Sequence, residues 1–72
     1  RVCLVEENRE LFSTLYAQRL FFVVFHNTDG LEFEPIGRSE AKVLVENRLR
    51  MLRRSAMYKE YDQLQKVHHR TF

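Results

Sequence analysis

The chain has one cysteine, one proline and two glycines in 72 residues, and each scarcity excludes something. Cys3 has no partner, so no disulfide framework supports the fold, and a reducing compartment, the cytoplasm, is expected. Its place in the run Arg1-Val2-Cys3-Leu4-Val5 reads as a strand thiol, since no general base is identifiable nearby to make it a nucleophile. With only Gly30 and Gly37 there is no material for a glycine-rich phosphate loop. No apolar run approaches the ~20 residues of a bilayer span, and no signal peptide is recognisable. The chain opens on Arg1 without Met and within a strand pattern, so a preceding segment is expected.

Chemistry-bearing groups are equally sparse. Glu32 and Glu34 alternate along one segment, which puts both on one solvated strand face and offers no cleft to separate their acidities. His68 and His69 are adjacent and diverge by about 100° on a helix, so they cannot by themselves hold one metal ion. No nucleophile–base pair is visible. These absences point away from an enzyme and toward a binding protein.

What is present divides at the middle. Residues 1–36 carry three arginines against six acids, net −3, and residues 37–72 carry nine Lys/Arg against four acids, net +5. The first half reads as strands: RVCLV, then LFSTLY after the polar EENRE, then RLFFVVFH. Asp29-Gly30 suits a tight hairpin, and LEFEPI follows, with Pro35 marking it as an edge strand. Gly37 punctuates the boundary. Ser39 is the expected helix cap, with Glu40 at the positive end of the helix. From Ala41 to Leu52 the apolar spacing is helical, with Ala41, Leu44, Val45, Arg48 and Leu52 on one face. A second helix is predicted from near Ser55, through Tyr58, Tyr61, Leu64 and Val67. No proline or glycine separates the two, so a single bent helix is the alternative. The fold class is therefore α+β: a small antiparallel sheet over residues 1–37, then a helical hairpin over 38–72. A core of this size is marginal, worth no more than ~3–5 kcal/mol.

One run raises a question of its own. Leu20 to Phe25 is apolar at every position, so the strand carries apolar side chains on both faces. Leu20, Phe22 and Val24 face one way; Phe21, Val23 and Phe25 face the other. One set is expected to fill the concave core of the sheet and the other to lie under the helices. The polar shoulder before it, Tyr16, Gln18 and Arg19, has the composition of an interaction surface. The arginines of RLRMLRR (Arg48, Arg50, Arg53 and Arg54) are open to three readings: a solvated face paired with the acidic half or Glu46, phosphate contact, or an acidic protein partner.

The blocks ELFSTLYAQRLFFVV, FEPIGRSEA, LVENRLRMLRR and YDQLQKVHHRTF run in one order over nearly the whole chain. Together they closely resemble the cyanobacterial PipX family, the PII-interacting protein X. The departures fall in CLVEEN, FHNTDG and MYKEYDQ, which are connection-like. The resemblance implies a Tudor-like, strongly bent sheet followed by two C-terminal helices, with a first strand lying before Arg1. It implies a non-enzymatic adaptor in nitrogen regulation. Such proteins coactivate the 2-oxoglutarate-bound transcription factor NtcA and are captured by the PII signal protein in an ADP-favoured complex. Both partners use the Tudor-like surface, and PII complexes also engage the regulator PlmA. The metabolites bind the partners, so no cofactor is implied for the chain itself. The family's binding residues fall on Tyr16 and Arg19, with Gln18, Leu20 and Phe22 beside them. Arg38, of the Gly37-Arg38 junction, and Arg53, in the arginine block, are further implied contacts, and Glu7 matches an acidic loop position in a differing local sequence. The alternatives are a small nucleic-acid-binding module using the basic first helix, and a structural subunit indifferent to 2-oxoglutarate and ADP.

Overall fold

The computed structural model describes residues 1–14 and 20–72. Four strands come first, β1 (Cys3–Glu6), β2 (Arg9–Ser13), β3 (Phe21–Asn27) and β4 (Gly30–Ile36), followed by the helices α1 (Arg38–Arg54) and α2 (Tyr58–Thr71). The strands form one antiparallel sheet in the order β1-β2-β3-β4. Local chemistry accounts for the joints. The β1–β2 turn falls on the polar Glu7-Asn8, and a register shift between Leu4 and Glu6 bends β1. Thr28-Asp29 closes the β3–β4 hairpin, and Gly30 follows at φ 128, where a Cβ would be strained.

Pro35 sits on an edge strand, as its chemistry requires. Hydrogen-bonded pairs alternate along an antiparallel ladder, and Asn27–Gly30 closes the hairpin. Pro35, opposite Phe22, therefore falls on a position whose N–H would face outward, so its absence costs the sheet no ladder bond.

Both helices lie on one face of the sheet. Cys3, Leu11 and Val23 are cross-strand partners on that face. With Phe21 they join Ala41, Val45, Leu52 and Leu64 in a single buried cluster. Phe25, Ile36, Leu44, Tyr61, Val67 and Phe72 pack around it. Burial pushes the Cys3 thiol up to about 11, with Arg48 and Arg1 only partly offsetting the desolvation. Two results are expected. A thiol-specific reagent at pH 8 should modify Cys3 only at the rate of unfolding. The thiol's contribution to stability should be complete below the ordinary thiol range and lost as pH rises toward about 11, a loss that Cys3→Ala removes in urea titrations at rising pH.

The helix start differs from the expected one. The structure places Gly37, extended at φ −77 and ψ 164, at the cap of α1 with no side-chain cap bond, and Ser39 lies inside the first turn. The Gly37 carbonyl accepts from the Ala41 amide at 3.0 Å. The helix begins two residues early because Arg38 is anchored: its Nη2 donates to the Thr71 carbonyl at 2.5 Å and its guanidinium stands 5.5 Å from the Phe72 ring. The start of α1 is thereby tied to the end of α2.

Two helices form, and the break needs no glycine. The Met57 amide bonds to the Leu52 carbonyl at 2.9 Å and the Ala56 amide to the Arg53 carbonyl at 3.2 Å, the pairing of a Schellman ending. Ala56 takes the left-handed position at φ 57, normally the place of glycine. The left-handed form costs a non-glycine residue about 1–2 kcal/mol, part of which glycine's extra unfolded-state freedom returns. Ala56→Gly is expected to raise stability by about 0.5–1 kcal/mol in urea denaturation; a lower midpoint would refute this.

Candidate functional site

The second face of the sheet is where sequence expectation and structure part. Phe21, Val23 and Phe25 are the set that lies under the helices, a choice the sequence left open. The opposite set does not close into a second core among the described residues. Phe22 is half-buried, and its ring lies 5.5 Å from Phe12, nearly parallel at 7°, and 6.2 Å from Phe33 at 48°. A rank of three phenylalanines thus crosses β2, β3 and β4 on the face away from the helices. Val24, between Glu10 and Phe33 in the register, is buried, but Phe33 is 65% exposed, Leu31 55% and Leu20 65%. The physical reason is the distribution of partners: the described residues hold one pair of helices, which covers one side, and β4 is an edge strand.

A polar group borders this apolar face. Glu10, the cross-strand partner of Val24, accepts from His26 Nε2 at 2.8 Å and from Arg1 Nη1 at 2.9 Å. The His26 hydrogen bond first, and then that of Arg1, holds its carboxyl below the ordinary glutamate range. The arrangement is an apolar aromatic centre with a charged, hydrogen-bonded margin, as in protein–protein interfaces. Among the described residues no group of three or more His, Cys, Asp or Glu is placed to hold a metal ion. No helix among them is long and apolar enough to cross a membrane.

The site residues read from sequence fall into three sets. Tyr16, Gln18 and Arg19 lie outside the described residues. Their flanks are held together: the Thr14 amide bonds to the Leu20 carbonyl at 2.9 Å, and the Leu20 amide to Thr14 Oγ1 at 3.0 Å. Leu20 and Phe22 belong to the open face and its margin. Arg38 and Arg53 are in the helical layer. Arg38 is engaged with the end of α2, and Arg53 is exposed in the last turn of α1. Glu7 is exposed in the β1–β2 turn.

Sequence reasoning missed Phe12, Leu31 and Phe33 as members of the face. The signal was available in part, because Phe33 and Leu31 alternate with glutamates and so share one side of β4. What joins them to Phe22 is the register between strands. The arginine block also resolves differently from its expected pairing. Glu46 Oε2 lies 3.3 Å from His68 Nε2, half-buried Arg48 donates to Met51 Sδ at 3.3 Å, and Arg50 bonds Asn47 Oδ1.

A comparison with curated proteins finds no match. A comparison with protein families does: the model of PipX, described as PII-interacting protein X, matches residues 1–72, the full length of the chain. An open aromatic sheet face suits a protein defined by its binding to another protein, and the chain belongs to the PipX family of PII-interacting proteins.

Proposed function

We propose that the chain is a cytoplasmic, non-enzymatic adaptor that passes between two regulators through the open face of its sheet. PII captures it in an ADP-favoured complex, and the transcription factor NtcA, loaded with 2-oxoglutarate, takes it as a coactivator. The supporting observation is the phenylalanine rank on the side the helices leave free, in which Phe12 and Phe22 are half-buried and Phe33 is exposed. Tyr16, Gln18 and Arg19, with Leu20 and Phe22, supply the contacts that both partners share. Arg38 and Arg53 add contacts in the helical layer for a partner that reaches past the domain junction. PlmA engages the PII complex rather than the free chain.

One surface for two partners makes binding mutually exclusive. Each partner's affinity is set by its own metabolite, so mass action moves the adaptor between them while the adaptor senses nothing. The test is a pull-down with purified PII and NtcA, run first with ADP and then with ATP plus 2-oxoglutarate. The expected result is exchange of the bound partner, and failure to exchange overturns the reading. Tyr16→Ala should weaken both complexes and leave the circular dichroism spectrum unchanged; loss of only one complex would show that Tyr16 does not belong to a shared surface.

A further inference from the structure

The helical layer carries a second cluster, at the opposite end of α1 from Arg38, of which only Arg53 enters the reading above. No acidic residue lies between Glu46 and Glu60, while Arg48, Arg50, Arg53, Arg54 and Lys59 fall in that interval. Arg48, half-buried, bonds Met51 Sδ, and Arg50 bonds Asn47. Arg53 and Arg54 have no ion pair among the described residues. The same stretch exposes large apolar groups: Met51 is 48% exposed, Met57 42% and Tyr58 60%. Methionine, tyrosine and arginine are the side chains enriched at protein interfaces. Here they gather at one corner, where α1 ends and α2 begins.

The corner is built, not loose. Three backbone hydrogen bonds, from Ser55 to Met51, Ala56 to Arg53 and Met57 to Leu52, fix the reversal, and the Tyr61 amide continues it by bonding to the Met57 carbonyl at 3.0 Å. Ala56 is held left-handed at its centre. Side chains displayed from such a reversal lose little backbone freedom on binding. The protein measures 33 × 33 × 17 Å, and its helices cover the face of the sheet opposite the phenylalanine rank. The corner therefore belongs to the helical layer and leaves that rank free.

We infer that the α1–α2 corner, Arg50, Met51, Arg53, Arg54, Met57 and Tyr58, is a second docking surface, for an acidic segment of another protein that also presents an apolar side chain. Charge complementarity sets the sign of the partner. The two methionines set its class: they offer nothing to a phosphate backbone, whereas an amphipathic acidic segment uses both kinds of group. The inference does not rest on the identity of the partners at the sheet face.

The test is a titration of the full chain, isotopically labelled, with a synthetic amphipathic peptide carrying Glu and Asp beside Leu and Phe. The expected result is amide shift changes concentrated over Met51–Tyr58, with affinity falling as salt rises. Arg50→Glu combined with Arg54→Glu should weaken binding at least about tenfold, and Met57→Ser several-fold, with helix content unchanged by circular dichroism. The inference is overturned by any of four outcomes: no binding at millimolar peptide, shift changes centred on the phenylalanine rank, equal affinity for the charge-reversed variant, or a short DNA duplex that binds the same residues more tightly than the peptide. Sedimentation at each titration point separates docking from self-association, and shifts that track a dimer instead of the peptide count against it.

Discussion

Leu11→Ala is expected to leave much of the protein unfolded at 25 °C. Leu11 is fully buried in β2, with Cys3 and Val23 as its cross-strand partners, in the cluster that α1 and α2 complete. Truncating a buried leucine removes its transfer free energy and leaves a cavity, together about 2–5 kcal/mol. A domain of this size holds only ~3–5 kcal/mol in its core, and there is no disulfide to limit the unfolded state. The substitution therefore consumes most of the stability. Urea denaturation followed by circular dichroism should show a midpoint near zero denaturant. A cooperative transition close to that of the parent chain would mean that the sheet and helices do not depend on this contact.

Phe33→Asp is expected to do the reverse, weakening PII binding at least tenfold and leaving the fold intact. The ring is mostly exposed on the edge strand, so its removal should change stability by no more than about 0.5 kcal/mol. It extends the rank formed by Phe12 and Phe22, and a carboxylate there would be desolvated without a partner at an apolar interface. Glu34→Gln is the matched control. It lies one residue away on the same strand, pointing to the other side, and should leave the dissociation constant within about twofold. Calorimetry against purified PII reads both variants. If Glu34→Gln matters and Phe33→Asp does not, the binding surface is on the wrong side of the sheet.

Much of the fold was legible because short-range rules set it. Alternation marked the strands, Asp29-Gly30 marked the hairpin, and Pro35 identified an edge before any pairing was known. Periodicity gave both helices, although their ends moved. α1 begins at Arg38 instead of under a Ser39 cap because a contact with Thr71 and Phe72, far along the chain, rewards two further helical residues. The interruption between the helices carries no glycine or proline. It became definite only in the left-handed turn at Ala56.

The candidate site was less legible. Leu20 and Phe22 could be read from their run, but Phe12 and Phe33 enter the site through strand register, and register joins residues far apart in sequence. The arginine block could not be apportioned from sequence either. Arg48 bonds Met51, Glu46 lies beside His68, and Arg53 and Arg54 are left at the surface.

By itself the sequence determined that Phe21 to Phe25 is a strand with two apolar faces, that the basic charge gathers in the helices, and that this small core has no covalent support. These are properties of local spacing and composition, which physics reads within a few residues. Only the tertiary structure decided which of the two faces is covered. That choice depends on where one pair of helices docks, and docking on the Phe21, Val23 and Phe25 side leaves the phenylalanine rank open on the other.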